Sequence, residues 1–466
     1  SKRFGNNNYM TALFSMMYAL MGYNVTQQIN VMWLDSVIIL PVLLLWVSEQ
    51  IMGKKRSMLP ILITIAVVTN FYTAYMIIAF SILYFFVECI LQRKEVKYSL
   101  KKFFLFLMEI LLGLGMSSGI LLPVLGEIMN VGRGGSGGIL ETLSLLFTIN
   151  KKIFMLPMKE LLGAYDRNDL IDGLPNIFIS IYGFVLFIFY LLDKRHSKRE
   201  KAGYGILIGT LLLSFISVGL NQIWHGFTYT SGCNYRYSFC LSFVMIVLAY
   251  LQCQIMLEQK TICRLNKFSW LLLSFLGLWF MYVTFEQYTG ERLTFSSMKK
   301  WEVTGCAFLV VLMLIIMFTR SKHKKIVLLL LTGYMLIESS INIVWSLSGF
   351  ECRGMKDYCE FYTSLSSTVN DIKDHDHESF FRIEHELRGL LNDAMLIGYP
   401  SITHYSSVLQ DEVAQYAIEH NSLVEGIGRQ ATAFRANQIN AGQAGEIAIK
   451  YLLTYELPDD TCNWEI

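Results

Sequence analysis

The chain has 466 residues, 54% of them hydrophobic, with a mean hydropathy of +0.43. Its 39 Lys and Arg nearly balance 37 Asp and Glu, for a formal charge of +2. Such a composition excludes a soluble globular protein of this length, and no nucleic-acid partner is expected.

About eleven apolar blocks run from Tyr9 to Trp345, and a span needs roughly 20 mostly apolar residues to cross about 30 Å of hydrocarbon. The predicted spans are Tyr9–Met21, Val31–Met52, Met58–Val68, Phe71–Leu91, Phe103–Leu125, Asn176–Leu192, Tyr204–Asn221, Tyr237–Met256, Phe268–Phe285, Val303–Phe318 and Ile326–Val344. The first and third are short, which suits tilted or re-entrant helices beside a cavity. Basic islands stand at Lys54–Arg56, Arg93–Lys102, Lys194–Lys201, Lys260–Lys267 and Arg320–Lys325, whereas the turns Gly22–Asn30 and Thr69–Tyr72 carry no Lys or Arg. The positive-inside rule puts the islands in the cytoplasm and those turns outside.

The longest loop, Gly126–Pro175, then lies outside. It contains Gly132-Arg133-Gly134-Gly135-Ser136-Gly137-Gly138, a formal match to G-x-G-x-x-G. A dinucleotide fingerprint must follow a strand and open a helix, and this run follows a membrane helix, so it reads as a loop. Its neighbours Leu140–Phe147 and Ile153–Leu162 look like short surface helices suited to covering an active-site mouth.

The alternation also places everything after Leu347 outside. The chain thus divides into a transmembrane helical domain, 1–347, and an extracytoplasmic α+β domain, 348–466, acidic and long enough to bury its own core. Within it, Cys352 and Cys359 allow a local disulfide in an oxidising compartment. Asp374-His375-Asp376-His377-Glu378 resembles a metal tract, but no second cluster completes a site, so no metal and no cofactor is expected. The start, Ser1-Lys2-Arg3, has neither Met nor a cleavage pattern and reads as a fragment, and the end shows no evident cap.

Candidate site residues gather at the outer ends of the spans. Asp35, in Asn30-Val31-Met32-Trp33-Leu34-Asp35, puts a carboxylate into an otherwise apolar span, where insertion costs about 2.5–3.5 kcal/mol at the centre, so it faces either a cavity or the headgroup level. Asn70, Tyr72 and Tyr75 lie at the next outer turn, as pocket residues or as an interfacial belt. Asn234, Arg236 and Tyr237 follow Trp224-His225-Gly226. An Arg there suits a phosphate, because its fork of donors matches phosphate oxygens, with Arg133 as a second arm; the other reading of both is a snorkelling interfacial Arg. Glu338 and Asn342 share one helix face, and Glu109 sits in a similar apolar setting, each needing a partner.

Taken in order, Asn30-x-Met32-Trp33-Leu34-Asp35, Asn70-Phe71-Tyr72, Asn234-x-Arg236-Tyr237, Phe381-Arg382-Ile383-Glu384, Gly398–Ser407 and Ile449–Leu453 resemble the bacterial YfhO membrane proteins. The resemblance runs along nearly the whole chain. It implies an all-α polytopic bundle of the GT-C type, an integral-membrane glycosyltransferase that takes a sugar from a polyprenyl-phosphate carrier to a cell-envelope polymer such as teichoic acid on the extracytoplasmic face of the bacterial cell membrane. It also implies a catalytic acidic residue in a first outer loop, which this chain does not contain. Asp35 is therefore read as a pocket residue, and Asp35, Asn70, Tyr72, Arg133, Asn234, Arg236 and Tyr237 as substrate-binding. The rival readings are a lipid or solute transporter or flippase, for which paired broken helices and an internal repeat would be expected, and a non-catalytic assembly protein.

Overall fold

The computed structural model describes residues 8–54, 57–130, 139–165, 169, 173–228, 230, 232–259, 304–311, 313–315, 324–348, 350, 354–387, 390–406, 412, 416, 423–425, 433–435 and 441–454. It is mostly helical. The helices are α1 Asn8–Ala19, α2 Gly22–Gln27, α3 Val31–Ile51, α4 Leu59–Leu91, α5 Val96–Met116, α6 Ser118–Asn130, α7 Ile139–Ser144, α8 Ile181–Leu192, α9 Lys198–Ile216, α10 Val218–Trp224, α11 Ser238–Gln259, α12 Lys324–Leu347, α13 Met355–His375, α14 Asp393–Ile397 and α15 Ala441–Glu446. Two compact units are present, Ser1–Leu121 with Ile139–Phe350, and Leu122–Gly138 with Glu351–Ile466.

Among the described residues, four helical stretches are long and apolar enough to cross a membrane: Gly22–Ile51, Leu59–Leu91, Ser238–Gln259 and Leu329–Leu347. The pair Val96–Met116 and Ser118–Ile128, bent by 83°, makes a fifth if it counts as one span. The expected span Phe268–Phe285 lies outside the described residues, as do the Gly132–Gly138 run, Arg133 and Cys352.

Three expected boundaries fall differently, each for a backbone reason. The blocks Met58–Val68 and Phe71–Leu91 merge into α4, yet Asn70 inside it is extended, at φ −159° and ψ 99°. Contacts on either side show the chain doubling back there. Thr73 meets Ser36 and Tyr84 meets Ser48, so 71–91 runs parallel to α3. On α5, Phe106 stacks on Phe85 while Gly113 accepts from Thr64 Oγ1 at 3.0 Å. Phe106 and Gly113 are about 10 Å apart along their helix, whereas a straight α4 would separate Thr64 from Phe85 by about 30 Å. The turn expected at Thr69–Tyr72 coincides with this reversal.

Asn70 makes the reversal by capping its second arm. Its Oδ1 accepts from Thr73 N–H at 2.9 Å and from Thr73 Oγ1–H at 3.0 Å. With its only hydroxyl proton so used, Thr73 accepts from Ser36 at 2.8 Å, which ties the arm to α3. Asn70→Ala should therefore cost about 1–2 kcal/mol, the value of a lost cap, and lower the thermal midpoint in detergent. Asn70→Asp, which keeps the acceptor, should not, and equal midpoints for both variants would refute the capping role.

The second difference is that Asn176–Leu192 is helical only from Ile181. Buried segment 176–180 is irregular, and Ser180 has φ +80°, a conformation that L residues rarely adopt. Irregular backbone among apolar helices needs donors and acceptors from the protein. Here Glu338 of α12 accepts from Ser180 Oγ–H at 2.7 Å and Ile181 N–H at 2.6 Å, and Asn176 Nδ2 donates to Thr26. Gly22 passes so close to Asn176 that a Cβ would overlap its side chain. Third, the expected span Tyr204–Asn221 breaks at Ser217, whose extended backbone and hydroxyl cap start α10.

In the other unit, β1 Arg382–His385 pairs in parallel with β5 Ile449–Leu453, while β2 His404–Tyr405, β4 Ala433–Arg435 and β3 Leu423–Glu425 form an antiparallel sheet in that spatial order. Leu365 and Val369 of α13 bury against Ile383, Ala394 and Tyr399. Cys359 is exposed with a free thiol.

Candidate functional site

The bundle end formed by the N-termini of α3 and α11 and the reversal of α4 collects most of the residues that the sequence singles out. Arg236, in the turn leading into α11, places its guanidinium 4.6 Å from the centre of the Trp33 ring and 5.0 Å from that of Tyr72. Two aromatic faces thus hold the guanidinium cation. Its Nη2 donates to Gly232 O at 3.2 Å, whereas among the described residues its buried Nε–H has no acceptor. Tyr23 steadies the turn by donating to Arg236 O at 2.8 Å.

Tyr72 is fixed in turn by His225. Asn234 O is an acceptor only, so His225 Nε2 carries the proton that it receives at 2.8 Å, and Nδ1 accepts from Tyr72 Oη–H at 2.6 Å. Burial, with the Arg236 guanidinium adding to it, pushes the His225 pKa down to about 3, so the imidazole stays neutral beside the cation. Tyr237 is fully buried and stacks on Trp224 at 4.6 Å, supporting the turn from below.

The structure thus brings Tyr72, Asn234, Arg236 and Tyr237 together, with Asn70 at the adjoining reversal. Asp35 stands apart: it is half-buried, and among the described residues neither a hydrogen bond nor an ion pair joins it to Arg236 or to Asn70. The helical step explains this. Trp33 and Asp35 are two residues apart on α3, about 200° around the axis, so a helix that turns Trp33 towards Arg236 turns Asp35 away. Sequence reasoning passed over Trp33 and the bonding role of His225, although both lie inside the motifs that were singled out.

The other polar residues have structural partners. Asn342 accepts from Gly163 N–H at 2.9 Å, and Glu109 accepts from Gln50 at 2.9 Å and Ser57 at 3.1 Å. In the acidic tract, Lys450 Nζ lies 2.6 Å from Asp376 and 2.9 Å from Glu378, and Tyr451 also donates to Asp376. These carboxylates tie α13 to β5. The Lys450 ammonium holds the Asp376 carboxyl down at about 2, below the ordinary value of 3.8. A depressed pKa stabilises the fold above the unfolded value and loses that contribution as pH falls through the folded one. The link should persist at pH 5 and weaken between about pH 4 and 2. Hydrogen exchange at β5 over that range, compared with Lys450→Met, should show the effect in the parent only; an identical acid response in the variant would remove the link.

The family model for the bacterial membrane protein YfhO matches residues 1–443. No curated protein and no solved structure matches the chain. Apolar helices of membrane-spanning length and a match over nearly all of the sequence lead to one assignment: the chain belongs to the YfhO family of bacterial multi-pass membrane proteins.

Proposed function

We propose that the protein is a GT-C-type glycosyltransferase that takes a sugar from a polyprenyl-phosphate donor and transfers it to a cell-envelope polymer such as teichoic acid. The carrying observation is Arg236, a cation clamped between Trp33 and Tyr72 whose Nε–H has no acceptor among the described residues. Transfer at an anomeric carbon releases a phosphate, and a preorganised guanidinium stabilises the charge that develops there. In this reading about eleven helices cross the membrane, the basic islands face the cytoplasm, and Arg236 and the C-terminal domain face out. Asn70 and Asn234 shape the wall of the pocket around Arg236.

The test is sugar transfer in proteoliposomes supplied with a polyprenyl-phosphate-linked sugar and a teichoic acid acceptor. Transfer that needs both components supports the proposal. Movement of the lipid across the bilayer with no sugar transferred would instead make the protein a flippase.

A further inference from the structure

Two carboxylates lie buried beside the irregular segment 176–181. Glu338 of α12 accepts from Ser180 Oγ–H and Ile181 N–H. Glu160, at the end of the 3₁₀ segment Lys151–Glu160, accepts with Oε2 from Ile179 N–H at 3.4 Å. Three consecutive residues thus hold the two groups near enough for the charge on one to act on the other. Glu160 is only 4% exposed and Glu338 2%, so neither charge is hydrated. Among the described residues no Lys, Arg or His lies within ion-pair distance of either carboxylate, and Glu160 Oε1 has no hydrogen-bond partner.

The two groups are unequal. Two short bonds suit an ionised Glu338, because a carboxylate only accepts. One long bond and a bare oxygen do not suit an ionised Glu160, and two adjoining buried carboxyls do not both ionise. Burial, with the charge of Glu338 adding to it, raises the Glu160 pKa well above its ordinary 4.5. The proton therefore sits on Glu160.

Glu160 also stands where a lost proton would be felt, at the start of the contact that 160–163 makes with α12. Gly163 N–H donates to Asn342, and a Cβ on Gly163 would overlap Trp345. Glu338, Asn342 and Trp345 follow one another at steps of four and three residues, on one helix face. Other titratable groups nearby are few. α12 adds Tyr334, the stretch 304–311 only the exposed Cys306, and 176–181 none. The segment itself carries Tyr165, the exposed Lys151 and Lys152, and Lys159, whose ammonium is committed to Asp169 at 2.7 Å. At its other end Asn150 accepts from Lys152 N–H at 3.0 Å and donates to Tyr235 at 2.6 Å, one residue from Arg236.

We propose that Glu160 is a proton-binding site that seats segment 151–165 on α12, and that loss of the proton unseats it. A second negative charge beside Glu338 meets no cation, and the pair separates when Glu160 moves into water. A carboxyl whose folded pKa is raised holds its proton more tightly when seated, so seating is strongest at low pH and is lost as pH rises through the folded value. The switch does not depend on the reaction proposed for Arg236, and its readout needs no sugar transfer.

Hydrogen exchange of the purified chain in detergent, corrected for the intrinsic rate at each pH, would be followed for peptides within 151–165 from about pH 5 to 9. Parental protection should fall by about tenfold per pH unit until the folded pKa is passed. Glu160→Gln has no proton to lose, and its protection should stay within about twofold over the same range. Infrared difference spectra of the parent should show a protonated-carboxyl C=O band that disappears as pH rises and that Glu160→Gln lacks. Parental protection that does not change with pH, a parent without that band, or the parental slope retained in Glu160→Gln would each overturn the proposal. The first two readings use the parent alone, so they hold even if the variant fails to fold.

Discussion

Arg236→Lys is expected to lower sugar transfer about ten- to hundredfold while the protein inserts and folds as before. The substitution keeps the charge, so any loss isolates geometry. A guanidinium is planar, stacks on Trp33 and Tyr72 together, and offers several N–H donors in fixed directions. An ammonium is a compact, strongly hydrated point charge that does none of these things. The loss should appear in kcat more than in KM, because the fork matters most when phosphate charge develops on leaving. Tyr72→Phe should show a weaker form of the same defect, since it keeps the ring but releases the bond to His225. Initial rates across a donor titration would decide the matter. A Lys variant with parental kcat would reduce Arg236 to an anchor.

The largest effect on stability is expected at Glu338. Glu338→Leu removes the acceptor for two buried donors, Ser180 Oγ–H and Ile181 N–H, where the backbone already holds the left-handed φ of Ser180. An orphaned buried donor costs about 1–3 kcal/mol, so two amount to a large share of the roughly 5–15 kcal/mol that holds a typical fold. Little folded protein should survive size-exclusion chromatography in detergent. Glu338→Gln keeps one carbonyl oxygen and should retain a folded population with a lowered thermal midpoint. A Leu variant as stable as the parent would mean that water or other groups satisfy segment 176–181.

Both predictions depend on residues whose importance the sequence signalled unequally. Arg236 was legible because a fork of donors flanked by Asn and Tyr at the start of an apolar span has few uses. Glu338 was legible as a buried carboxylate that needs a partner, but the partner is a backbone segment 157 residues away in sequence, and no local pattern encodes such a pairing. Asp35 carried the most conspicuous local signal, yet among the described residues it takes no partner, while its neighbour Trp33 meets the cation. Composition within a motif does not say which member faces the site; helix rotation does, and packing sets that rotation.

Hydrophobic run length and the placement of Lys and Arg determined the class of this protein, because bilayer thickness and charge impose themselves residue by residue along the chain. The YfhO motifs were equally a property of the sequence. Only the tertiary structure decided that Asn70 caps the expected reversal through Thr73, that 176–180 stays irregular, that His225 fixes Tyr72, and that a cavity of about 530 Å³ lies between α1, α3, α9 and α11. Each of these depends on which distant groups satisfy a buried polar atom or leave a volume unfilled, and such choices are settled by packing between helices.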